Sequence, residues 1–199
     1  IHTWDTLDRL TPSHYENENE NKAEAINLDK IKQIYKPKDI CVGTQTFKDP
    51  NKTCPYNKLS YEGHKYYFES FYKANEMKKK YEKANNFKYD LVIKSRPDVI
   101  FKTCLDLKTI DKDTTYLLGN PVNKNVDLHS VSNFRALDVM TICNSRNMDE
   151  IANFIHSIDK YTFVKFHKHS GFIDYILDLN INLEILDYIY GRDWGFLRL

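Results

Sequence analysis

YDLVIKSRPDVIF, residues Tyr89 to Phe101, begins as an apolar run and then carries Lys94, Arg96 and Asp98 around a proline. The β-branched and apolar residues Leu91, Val92 and Ile93 predict a strand, with Val92 and Ile93 buried in the middle of a sheet. Pro97 has no N–H to give to a ladder, so the paired strand should stop near Ser95. Arg96 and Asp98 are two residues apart and would project together from that end in an extended chain. The triplet then has two readings. It is an ion pair closing the strand, or it is an arginine placed to grip phosphate through two parallel N–H groups beside an aspartate that binds a divalent cation.

The segments on either side supply the fold class. Upstream, INLDKIKQIYKPKDICV places Ile26, Leu28, Ile31, Ile34 and Tyr35 at mostly helical spacing, with Pro37 as the stop and a short strand at Ile40 to Val42. From Tyr66 to about Asn85, the positions Tyr67, Phe71, Ala74, Met77 or Lys78, and Tyr81 draw one helical face, expected to pack on the sheet. Downstream, TTYLLGN reads as a strand with a turn. LDVMTICNSRNMDEIANFIHSI reads as a strand and then a helix with Ser145 as its N-cap, and HSGFIDYILDLNINLEIL as a helix and then a strand. Strands separated by helices predict an α/β protein whose ligands bind beyond the strand C-termini. No internal repeat or linker divides the chain, so residues 1–199 read as one domain. The sequence opens on Ile1 in IHTWD, a short strand with a polar tip, and an upstream strand and helix are expected to be missing. The acidic, Asn-rich ENENENKAE reads as a loose surface stretch.

Composition excludes several classes. The 199 residues carry 29 Lys plus Arg against 28 Asp plus Glu, a formal charge of +1, which argues against nucleic acid as a partner. The densest basic run, Lys78-Lys79-Lys80, looks like the solvated side of a helix. Cys41, Cys54, Cys104 and Cys143 form no C-x-x-C pair, so thiols in a reducing compartment are expected rather than a zinc site. No apolar run approaches the ~18 residues that span a bilayer. The location expected is the cytoplasm, or the cytoplasmic membrane surface. No glycine fingerprint marks a P-loop or dinucleotide enzyme.

HTWD, IYKPKDICV, KKKYEKANNFKYDLVIKSRPDVIF and LDVMTICNSRNMDEI, in that order, resemble a sugar-transferase family of bacterial and giant-virus polysaccharide pathways that is similar to GT-A glycosyltransferases. The resemblance implies a Rossmann-type α/β/α sandwich with a mixed central sheet. It also implies that Arg-Pro-Asp stands where other GT-A enzymes carry D-x-D. Arg96 would then face the diphosphate of a nucleotide sugar, and Asp98 would hold Mn or Mg. His2, Trp4 and Asp5 would end an early strand beside the nucleotide. UDP-sugar is the first expectation for the donor, with GDP-sugar as the other, and the acceptor would be a glycan or another hydroxyl compound.

For the base that takes the acceptor proton, the resemblance points to Asp138, which is otherwise a residue capping its own turn at a strand start. The family's usual Pro-Glu pair is replaced here by FHKHSGF. His169 or His167 would stand in as base, since imidazole titrates near neutrality. His129 reads as a loop residue that would touch the acceptor only if it faced the cleft. A different class stays open beside the enzyme: a catalytically silent carbohydrate-binding or scaffold module of the same fold. Tyr188, Tyr190 and Trp194 would be its stacking residues, unless they serve the core.

Overall fold

A computed structural model of the chain describes residues 1–4, 6–7, 24–25, 27–44, 61–96, 99–121, 134–135, 139–162, 168–187 and 193–196. They fall into two compact units, Ile1–Ala84 and Asn85–Leu199. The protein is mixed α/β, and its larger sheet contains both strand orientations.

In the first unit, β1 (His2–Trp4) lies parallel to β4 (Cys41–Gly43), and β2 (Thr6–Leu7) pairs with β3 (Glu24–Ala25). Helix α1 (Leu28–Tyr35) starts at Asn27, whose side-chain oxygen accepts from the Lys30 N–H at 2.9 Å. It stops where Lys36 turns left-handed ahead of Pro37. Helix α2 (Tyr61–Asn85) begins five residues earlier than its aromatic spacing predicts. Its buried stripe also differs from the expected one. Phe68, Phe71, Asn75 and Glu82 turn inward, whereas Tyr67 is only half-buried and Tyr81 is 41% exposed. The i, i+3, i+7, i+14 spacing of the inward set still follows the helical period, and aromatic identity misdirected the assignment. Lys78 likewise leaves the expected solvated run, because its ammonium sits 3.5 Å from the Glu82 carboxylate and both side chains are largely buried. A buried glutamate needs such a partner to stay charged.

The second unit is built on a sheet of order β10–β7–β9–β5, formed by β5 (Val92–Ser95), β7 (Thr115–Pro121), β9 (Met140–Cys143) and β10 (Leu183–Asp187). Strand β10 is parallel to β7, while β9 runs antiparallel to both β7 and β5. Three strands therefore point one way and β9 the other. All four residues of β9 are buried. Tyr116, Leu118, Met140 and Ile142 form the core on one face, with Leu91, Val99, Leu105, Ile110 and Leu186 packed against it. On the other face Leu117, Thr141 and Cys143 are buried as well, so both faces of the central strands are covered. The expectation that Val92 and Ile93 occupy a buried central strand is overturned. Among the described strands β5 is at the edge, and Ile93 is 45% exposed. The middle belongs to β9, whose MTIC has no charged residue, whereas VIKS does.

Helix α3 (Ser145–Ala152) follows β9 directly and packs on it. Its N-cap is Asn144 rather than Ser145. The Asn144 side-chain oxygen accepts from the Asn147 N–H at 2.8 Å, and Ser145 is the first helical residue, buried at 2% exposure. Burial decided between two good capping residues. Short α4 (Ile158–Thr162) crosses α5 (Lys168–Asp178) at Gly171, where a Cβ would stand 3.0 Å from the Tyr161 carbonyl oxygen. The rings of Phe154, Tyr161, Phe172 and Tyr175 pack edge-on or tilted around this crossing. The Tyr175 hydroxyl donates to the Glu150 carbonyl at 3.0 Å and so ties α5 to α3. Beyond the main sheet, β6 (Val99–Phe101) pairs antiparallel with β11 (Trp194–Phe196), and β8 (Phe134–Arg135) pairs with the end of β7.

Candidate functional site

Strand β5 ends at Ser95 and β6 begins at Val99, so the Arg-Pro-Asp triplet falls between two strands, as the proline requires. The Arg96 N–H donates to the Val139 carbonyl at 3.2 Å, and the Arg96 carbonyl accepts from the Val99 N–H at 3.4 Å and from the Ser95 hydroxyl at 3.3 Å. Arg96 is half-buried. Its main chain is thus pinned beside the residue that immediately follows Asp138. Asp98 and Asp138 themselves lie outside the described residues, as does Asp5.

The strand registers extend this edge. Asp187 pairs with Gly119, Leu117 pairs with Thr141, and Ser95 pairs with Met140. Counting on from these pairs, Asp187, Gly119, Val139 and Arg96 form one row across the four strands. Three strand spacings set its ends about 14 Å apart. Position Asp187, at the C-terminal end of β10, was missed in the sequence. Its signal was available, since LEILD is an apolar strand closed by a polar residue, as LVIKS is.

The other expected residues are distributed as follows. Trp4 is the last residue of β1, His169 stands in the first turn of α5 and Trp194 opens β11; the side chains of all three lie outside the description. His129, His167, Tyr188 and Tyr190 also lie outside it. Helix α5 hands over to β10 through Leu179–Asn182, so its C-terminal end meets the sheet where β10 begins. His169 is about 14 Å of helix away from that end.

His2 belongs to the first unit and is held by the helix beside it. Its Nδ1 is 3.0 Å from the Ser70 hydroxyl, and Lys73 and Glu69 of α2 form a 2.7 Å ion pair nearby. Burial lowers the His2 pKa to about 4, and the Lys73 ammonium adds to the effect while Glu69 opposes it. The ring is neutral at pH 7. These contacts pack β1 on α2.

At the opposite edge of the second unit's sheet lies a shallow cleft of about 560 Å³, lined in part by Lys88, Asp90, Lys112, Arg146 and Asp149. Four of its charges face one another in pairs: Lys112 with Asp90 at 3.1 Å and Lys88 with Asp149 at 3.4 Å. The Asn144 amide donates to the Lys112 carbonyl at 2.8 Å, and Asp111 accepts from the Asp113 N–H and the Thr114 hydroxyl at 3.0 Å each. These bonds fasten loops.

Among the described residues no group of three or more His, Cys, Asp or Glu is assembled to hold a metal ion. None of the helices among them is long and apolar enough to cross a membrane. Neither a scan against protein-family models nor a search of curated proteins finds a match to the chain.

Proposed function

We propose that the chain is a GT-A-like glycosyltransferase that moves a sugar from a nucleotide-sugar donor, UDP-sugar first, to a hydroxyl of a glycan or other acceptor. The observation that carries this reading is the bond between the Arg96 N–H and the Val139 carbonyl, which joins the end of β5 to the start of β9. It brings Arg96 and the residue following Asp138 to one edge of the sheet. That edge is the one where β5, β7 and β10 terminate, the general location of ligand sites in α/β sheets.

In this reading the Arg96 guanidinium takes up charge that develops on the departing diphosphate. The acceptor hydroxyl bonds to the anomeric carbon as the bond from that carbon to the diphosphate breaks. The electron pair leaves with the nucleoside diphosphate, and the hydroxyl proton passes to Asp138, or to His169 if the carboxylate is turned away. Mn or Mg held by Asp98 would supply further charge neutralisation. The roles of the other side chains do not depend on it.

The test is release of nucleotide from UDP-sugars and GDP-sugars with and without Mn. Mn-dependent release that is lost in Asp98→Ala, with an unchanged thermal midpoint, is the expected result. Release that persists in Asp98→Ala with a normal Mn requirement removes the Arg-Pro-Asp assignment, and a large drop in thermal midpoint returns the triplet to an ion pair. No release from any donor leaves the silent carbohydrate-binding or scaffold module.

A further inference from the structure

Helix α1 is amphipathic, yet none of its residues is buried. Leu28 and Ile31 are half-buried, while Ile34 and Tyr35 are 59% and 50% exposed. At about 100° per residue, these four fall within roughly 120° of the helix circumference. Lys30 and Lys32 flank that stripe on its two sides, and Asp29 and Gln33 occupy the far side. Lys36 and Lys38 follow the helix end, and all four lysines are exposed. Residues 28–38 thus carry four lysines against the single Asp29, in a chain whose net charge is only +1.

Two turns of helix are marginal alone in water. Here both ends are closed locally, by Asn27 at the start and by the left-handed Lys36, whose N–H donates to the Lys32 carbonyl at 3.0 Å. The helix is therefore preformed while Ile34 and Tyr35 of its apolar stripe stand exposed and Leu28 and Ile31 half-exposed.

We infer that α1 with the Lys36–Lys38 segment is a docking surface for an anionic lipid bilayer. The helix would lie in the interface plane, with Ile31, Ile34 and Tyr35 entering the acyl boundary and the lysines reaching anionic headgroups. Charge complementarity selects this occupant. A second copy of the chain would bring four lysines against four lysines, whereas the surface of an anionic bilayer offers negative headgroups on either side of the helix above the acyl layer that takes its apolar stripe. The inference is independent of the transfer reaction and survives if no donor is turned over.

The test is co-sedimentation of the full chain with phosphatidylserine-containing vesicles and with pure phosphatidylcholine vesicles. The expected result is sedimentation with the anionic vesicles that weakens as salt is raised. Ile34→Glu should reduce that partition by at least about tenfold. Lys30→Glu combined with Lys32→Glu should weaken binding to the anionic vesicles by about tenfold or more and leave phosphatidylcholine binding unchanged. Ile34, Lys30 and Lys32 are all exposed, so both variants should keep the parent far-UV circular dichroism and melting midpoint. Equal sedimentation with the two vesicle types, or full binding by Ile34→Glu, would overturn the inference. So would a concentration-dependent dimer that Ile34→Glu abolishes, because the stripe would then be a contact between copies.

Discussion

The two edges of the second unit's sheet are built from similar residues and are held in different ways. Where β5, β7 and β10 begin, side chains bind side chains and loops: Lys112 to Asp90, Lys88 to Asp149, Asn144 to both the α3 N-terminus and the Lys112 carbonyl. Where those strands end, the bonds described around the Arg-Pro-Asp connection are mostly main-chain, from Arg96 to Val139 and from Val99 to Arg96. At the first end four of the charged side chains are set against one another in pairs open to solvent. The main-chain bonds at the other end fix where Arg96 stands, at the end of the sheet where α/β proteins bind ligands. The comparison teaches that a concentration of charged residues is a poor guide to a site until their partners are known.

The largest expected effect would break the comparison if it failed. Asp138→Asn should lower turnover by about 10² to 10⁴ with donor binding unchanged, the usual worth of general-base assistance. Near-normal turnover in steady-state assays would remove Asp138 from the mechanism and move the test to His169.

Gly171→Ala tests what supports the α5 end that carries His169. The added Cβ would press on the backbone of Tyr161, which cannot swing away as a side-chain tip can. A loss of about 1–3 kcal/mol in urea unfolding is expected, the range for overpacking, although alanine is the better helix former. Unchanged stability would mean that α4 shifts freely and that the crossing does not position the helix.

The pH response of stability sharpens the assignment of a base. Because the His2 pKa is lowered by burial to about 4 in the folded chain, the unfolded chain takes up a proton first as pH falls. The stabilisation from neutral His2 is complete above about pH 6.5 and is lost progressively as pH falls toward 4. Denaturation midpoints should decline through that window, and His2→Gln should flatten the decline. Activity that falls in parallel in both proteins would belong to the reaction and not to His2.

The smallest effect expected is at the opposite edge. Lys112→Ala should cost no more than about 1 kcal/mol, since the pair with Asp90 is largely exposed, and should leave transfer unchanged. A large loss of turnover with intact stability would exchange the roles of the two edges.

Much of this could be read from residue order alone. The alternation of apolar strands and amphipathic helices, the stop at Pro37 and the end of β5 before Pro97 are local consequences of period and of a missing N–H. They required no knowledge of neighbours. The position of a residue at the Arg96 edge was also partly legible, because a proline after an apolar run marks a strand end. Burial was not. Whether β5 or β9 sits in the middle of the sheet depends on which strand loses less by surrendering water on both faces, and MTIC loses less than VIKS. The same competition turned Phe68 and Glu82 inward on α2 in place of Tyr67 and Tyr81, and chose Asn144 over Ser145 as the cap. Pairing was equally hidden. Nothing local distinguishes Lys112, which binds Asp90, from Lys30, which flanks an exposed apolar stripe. The sequence by itself determined the type and order of the main elements and the stops at Pro37 and Pro97, because these follow from bonds within a few residues. Only the tertiary structure decided which strand is central, which charges are committed to each other and which residues share the Arg96 row, because those outcomes arise from contacts between segments far apart in the chain.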